Sequence, residues 1–140
     1  MFDKIYSGTK IPLLEQMAAF AERRHQLITQ NIANVETPHY RAKDLDPKEF
    51  SRWMKEMVDR KGAEGKYPAE MQGTATLDRL DRMAWQPFRR TESLLRHDRN
   101  NVDMEKEMAK LAENSMMHKL ALELLRKEYF GLDTAIKGKI

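Results

Sequence analysis

The sequence contains no cysteine, which excludes disulfides, thiolate zinc sites, iron–sulfur clusters and cysteine nucleophiles together. Long apolar runs are also missing: no stretch approaches the roughly 18 to 20 apolar residues of a membrane span. The opening residues, MFDKIYSGTKIPLL, lack the uninterrupted apolar run of a secretory signal. These rules alone predict a cytoplasmic protein, apart from secretion routes that read no cleaved signal. A basic footprint is absent as well. Residues 1–44 hold six basic and five acidic side chains, residues 45–100 twelve and ten, and residues 101–140 seven and seven. Such interleaving does not suit a phosphate backbone, so no nucleic acid is expected as a partner. No G-x-G-x-x-G, G-x-x-x-x-G-K or G-x-S-x-G occurs, and His25, His39, His97 and His118 form no ligand-spaced pair. Nothing here points to a catalytic residue, a metal, a cofactor or a small-molecule substrate.

What is present is helical patterning. The chain has 140 residues, 41% apolar and 34% charged, which fits one structural unit between an ordinary globular domain and a solvent-exposed helical protein. A large compact core is not expected. Leu14, Met17, Ala18, Ala21, Ile28, Ile32 and Val35 share one helical face. That helix of about five or six turns should stop near Asn34, because Thr37-Pro38 follows and proline disfavours helix before it. Residues 35–45 then form an exit segment.

At the other end, Met104, Met108, Leu111, Ser115, His118, Leu122, Leu125, Tyr129, Leu132 and Ile136 alternate in steps of four and three. This is a heptad seam, with His118 suited to fixing register. Asn100, Asn101 and Asp103 are candidate N-caps, and Glu105 and Glu107 suit the first turns. Met117, Ala121 and Leu124 widen the stripe beyond what one neighbour would bury. Between the two helices, Asp46-Pro47 reads as a cap and first helical position, with Phe50, Trp53, Met54 and Met57 on one face of a helix over about 47–60. Lys61 to Gly73 reads as a polar loop, TLDRLDRMAW as at most three turns, and Gln86 to Arg99 as irregular. Seven of the ten methionines fall in these helices: Met17, Met54, Met57, Met104, Met108, Met116 and Met117. They suit either core filling or a surface that packs several quasi-equivalent partners.

The most specific string is QNIANVETPHYRAKDLD, residues 30–46. Asn31 and Asn34 lie three apart on the last turn, able to cap that helix end or to bond another chain. Thr37 and Pro38 end the helix, and Tyr40 offers an amphipathic ring. This string resembles the N-I-A-N-x-x-T-P-G-Y signature of the flagellar rod, hook and hook-associated axial proteins. Its Thr-Pro-x-Tyr form followed by R-A-x-D resembles the proximal rod members. NNVDMEKEMAKLAENSMMH, residues 100–118, is similar to the N-x-V-D-x-x-x-E-x-x-x-x-x-E-N block that opens the C-terminal helix in that family. The ending Ile136-Lys137-Gly138 is similar too. His39 stands where the family pattern has glycine, so a positive-φ turn there has either to accommodate histidine or to give way to another conformation.

The resemblance implies an all-α fold in which N- and C-terminal amphipathic helices pair as an elongated coiled-coil-like bundle, with a short helix and irregular loops between them. Residues 1–46 would be an N-terminal assembly segment, 47–99 a variable middle and 100–140 the heptad helix. It further implies a non-enzymatic structural subunit of the basal-body rod, exported by the flagellar type III apparatus without a cleaved signal and located in the periplasmic space. Its partners would be copies of itself, other rod proteins, the MS ring or its rod adaptor, and the export gate. Asn31, Asn34, Thr37, Pro38 and Tyr40, from the signature, and Leu111, Leu122, Leu125 and Leu132, from the heptad spacing, are the expected assembly residues. The alternative from the residues alone is a soluble helical adaptor or chaperone that holds a partner's helix on the Met-rich stripe.

Overall fold

A computed structural model describes residues 8–61, 67–68, 71, 74–85 and 102–138. Its four helices are α1 (Ile11–Ala33), α2 (Pro47–Asp59), α3 (Thr74–Trp85) and α4 (Met104–Lys137). Among the described residues there is no strand, and the fold is all-α. Local chemistry accounts for the helix ends. Asn34 caps the C-terminus of α1, three residues before Thr37-Pro38. Asp46 caps α2 by accepting from the Lys48 N–H at 2.8 Å, with Pro47 at the first position, where its missing N–H costs nothing. Of the candidate caps for α4, Asp103 takes the role, accepting from the Glu105 and Lys106 N–H groups at 3.2 and 3.4 Å. Asn100 and Asn101 lie outside the described residues, as does the segment 86–99. Gly138 closes α4 in the left-handed conformation, φ 61°.

α1 and α4 pack against each other antiparallel. Asn31 meets Glu107, Ala21 meets Asn114, and Glu15 meets Tyr129, so one helix ascends as the other descends. α4, at 34 residues, extends about 51 Å, against about 35 Å for α1 with 23. This is the expected pairing of the terminal helices.

The apolar core lies elsewhere. Phe20 and Leu27 of α1 cluster with Leu45, with Phe50, Trp53, Met54 and Met57 of α2, with Tyr67 and Met71, and with Leu80 and Met83 of α3. Phe20 stacks on Phe50 with ring centroids 4.0 Å apart, and Trp53 tilts against Phe50 at 5.7 Å. Arg79 lies over the Trp53 ring, and an Arg23–Asp81 ion pair ties α3 to α1. No residue of α4 belongs to this cluster. The segment 61–73, expected as a polar loop, contributes two core side chains, Tyr67 and Met71. Gln16 Nε2 also donates to the Met71 carbonyl at 2.7 Å. Periodicity could not show this, since isolated anchors within an irregular stretch leave no repeat to detect.

α1 is therefore buried on two sides. Leu14, Ala21 and Ile28, spaced by seven, are buried outside the core cluster, and the Ala21 carbonyl places their stripe under α4. On α4 the buried positions are Glu107, Asn114 and Ala121, also spaced by seven. Leu111, His118, Leu125 and Leu132 flank them, half-buried, while Met108, Leu122, Tyr129 and Ile136 of the heptad pattern are exposed. Of the ten expected seam positions, six are thus half-buried and four exposed. Polar pairing turns the helix, as described below. From this division, Phe50→Ala should lower unfolding free energy by about 3–5 kcal/mol, and Phe130→Ala, at a site 72% exposed, by no more than about 0.5 kcal/mol. Chemical denaturation followed by circular dichroism measures both.

Candidate assembly site

Asn31 is completely buried, and its carboxamide makes four hydrogen bonds. Its Nδ2 donates to the Lys43 carbonyl at 2.7 Å and to Glu107 Oε2 at 2.8 Å. Its Oδ1 accepts from the Lys43 N–H at 3.0 Å and from the Tyr40 hydroxyl at 3.1 Å. Two donors and two acceptor positions are the full capacity of an Asn amide. One side chain thereby joins the end of α1, the returning segment at 40–43 and the first turn of α4. Burial, and then the negative charge of Glu107, hold the Tyr40 phenol above its usual range. It stays a neutral donor at ordinary pH.

Charge continues the connection. Glu107 Oε1 accepts from Lys110 Nζ at 2.7 Å, and Lys110 also reaches Asp44 Oδ2 at 3.2 Å. Asp44 Oδ1 accepts from Arg24 Nε at 3.0 Å and from the Leu45 N–H at 2.8 Å. Two cations and two carboxylates thus alternate across three chain segments, largely out of water, where paired charges are tolerable and single ones are not. Burial works to lower the Lys110 pKa, but the hydrogen bond it donates to Glu107 and the charges of Glu107 and Asp44 outweigh it. The ammonium is held above the ordinary lysine range.

The rest of the signature shapes the turn. Asn34 Nδ2 donates back to the Gln30 carbonyl at 2.8 Å, and Thr37 Oγ1 donates to Asn34 Oδ1 at 3.2 Å. The Thr37 N–H donates to the Asn34 carbonyl, and the Tyr40 N–H to the Thr37 carbonyl. Thr37, Pro38 and His39 project into solvent. His39 has φ 61°, so the left-handed turn is kept and histidine accommodates it. This conformation is costly for a residue with a Cβ, and the hydrogen bonds on either side hold it.

The nine expected assembly residues therefore divide. Asn31 and Tyr40 belong to the internal network, Asn34 and Thr37 close the helix end, and Pro38 is exposed on the turn. Leu111, Leu125 and Leu132 are half-buried, and Leu122 is 46% exposed. The structure does not bring the two groups into one patch. It instead pairs Asn31 of the signature with one residue outside that set and ties the middle of α1 to another. Glu107 grips Asn31, and Asn114, completely buried, donates from Nδ2 to the Ala21 carbonyl at 2.7 Å. Both occupy matched positions of the block at 100–118, so the sequence carries their signal. Val102, buried, and Asp103, the cap, are matched positions too. The two signatures, distant in sequence, are halves of one contact.

The site is a helical pair locked at Asn31 and Glu107, with a long helix that turns apolar side chains to solvent. Comparison with known proteins gives the family. The chain is 36% identical over 133 residues to the flagellar basal body rod protein FlgB of Cereibacter sphaeroides, covering 89% of this chain and 91% of that protein. It is 29% identical over 127 residues to FlgB of Salmonella typhimurium, covering 83% and 84%. The match to FlgB of Bacillus subtilis is 28% over 144 residues, covering 96% and 97%. No protein-family model matches. The chain belongs to the FlgB family of flagellar basal body rod proteins.

Replacing Asn31 with alanine strands Glu107, Lys43 and Tyr40 without a shared partner. Stability should fall by at least about 2 kcal/mol, seen as a lower denaturation midpoint with unchanged slope. The Lys110 pairing adds a pH effect whose sign follows from its raised pKa. Its contribution is complete below the ordinary lysine value of 10.5 and is lost as pH rises through the higher folded value. An alkaline titration should show that loss in the native chain and not in Lys110→Met.

Proposed function

We propose that this chain is a non-enzymatic structural subunit of the flagellar basal-body rod, part of the axial shaft that carries torque from the motor toward the hook and filament. Membership of the FlgB family supports this directly. The observation on the molecule itself that carries it is the outward surface of α4. All but one of the exposed large apolar side chains among the described residues lie on this helix: Met108, Met116, Leu120, Leu122, Leu124, Tyr129, Phe130 and Ile136. They surround much of its circumference, as suits a helix packed by several neighbours in a helical array. The partners in this reading are copies of the chain, other rod proteins, and the MS ring or its rod adaptor. The subunit reaches the periplasmic space through the flagellar type III export gate without a cleaved signal. No helix among the described residues is long and apolar enough to cross a membrane, which accords with a subunit that passes through that gate.

Within this proposal, Asn31, Asn34, Thr37 and Tyr40 act on assembly indirectly, by holding the turn that presents Pro38 and His39. Leu122 acts directly, and Leu111, Leu125 and Leu132 present their open edges beside it. Leu122→Asp tests the reading. Because the side chain is about half exposed, the variant should keep the soluble yield, helicity and export of the native chain. A carboxylate in an apolar contact between subunits costs several kcal/mol, and each subunit repeats it, so rods should fail to form and cells should not swim. Normal rods would show that this face is not an assembly surface. A drop in soluble yield with no assembly defect would instead favour a self-contained adaptor.

A further inference from the structure

We propose that Glu107 and Asn114 select which face α4 turns toward α1, against a more apolar alternative that the same helix carries. α4 holds two overlapping stripes. Both use Leu111, His118, Leu125 and Leu132. One completes the set with Met108, Ser115, Leu122 and Tyr129, and the other with Glu107, Asn114, Ala121 and Glu128. Exchanging one for the other needs a turn of about 50° about the helix axis, half the step between successive residues. Apolar burial alone favours the first stripe. The chain uses the second: Glu107, Asn114 and Ala121 are buried, while Met108 and Leu122 stay exposed and Tyr129, half exposed, reaches α1 through its hydroxyl, which donates to Glu15.

The polar contacts explain the choice. Turning the first stripe inward would carry Glu107 away from Asn31 and Asn114 away from the Ala21 carbonyl, leaving a buried amide on α1 short of a partner. Asn114 has a further peculiarity. Its Oδ1 is buried with no hydrogen-bond partner among the described residues, so a leucine there would bury more apolar surface and strand no acceptor. A side chain that spends stability in this way is suited to specifying one packing over another, the role best attested for polar residues within helical seams. The outcome is that Met108 and Leu122 remain outward. Their use by neighbouring subunits rests on the rod reading; the rotational choice does not.

The full chain has no native cysteine, so Ala121→Cys and Leu122→Cys each supply a unique thiol. In the native background a soluble disulfide reagent should modify position 122 at least about tenfold faster than position 121. Asn31→Asp is nearly isosteric and still accepts from the Lys43 N–H and the Tyr40 hydroxyl, but it sets a second carboxylate against Glu107. In that background the order should reverse. Adding Glu107→Gln supplies an amide donor to the new carboxylate and should restore the native order. Met108→Cys, at an exposed position, gives an independent reading and should become protected when position 122 does. An unchanged order in Asn31→Asp overturns the proposal. So do thiols at 121, 122 and 108 that all react fast, because the helix would then have been released rather than turned. Since every reading is taken on the isolated chain, failure here leaves the rod assignment untouched, and assembly failure of Leu122→Asp leaves this one untouched.

Discussion

The buried Asn31 carboxamide is the constraint on which the rest of the arrangement depends. A primary amide removed from water must satisfy two donors and an acceptor oxygen or lose the free energy of each unmade bond. Asn31 satisfies them with three segments: its own helix carries it, residues 40–43 return over it, and Glu107 of α4 closes it. Move any one and the others lose partners. That interdependence makes a single side chain decide the path after α1, the position of Asp44 for Arg24 and Lys110, and the height at which α4 docks.

Polar and apolar forces are divided between the two sides of α1. Its side toward α2 and α3 is held by aromatic and methionine packing around Phe20, Phe50 and Trp53, which is strong and tolerant of exact orientation. Its side toward α4 is held by directional contacts at Asn31, Asp44 and Asn114, with Ala121 allowing close approach. Directional bonds fix register and rotation where hydrophobic contact would leave both loose. The division explains how a helix as apolar as α4 can be docked by its less apolar stripe and still keep Leu122, Phe130 and Ile136 outward. Under the proposed role in a helical assembly that is the useful arrangement, since the surface left out of the fold would be the surface offered to neighbours.

Much of this was legible beforehand, because helix length and ends depend on local chemistry. The periodic run from Leu14 with Thr37-Pro38 beyond it, the Asp46-Pro47 start and the Asp103 cap each act within about one turn, and α1, α2 and α4 begin or end where those residues stand. Tyr67 and Met71 were not legible as core, because an isolated apolar residue in a glycine-containing stretch carries no periodicity. The seam of α4 was half legible. The 3.5-residue spacing identified Leu111, Leu125 and Leu132, but hydrophobicity ranked Leu122 above Ala121, and the folded chain ranks them in reverse.

The sequence by itself determined the all-α class, three of the four helices with their caps, and the family through two signatures at opposite ends. Only the tertiary structure decided that those signatures are one contact, since residues 76 positions apart come together through the packing of whole helices and no local rule spans that separation. It also decided which stripe of α4 is inside. That choice turns on a partner for Glu107 and a carbonyl for Asn114, and a hydrogen bond exists only once both of its ends have been placed in space.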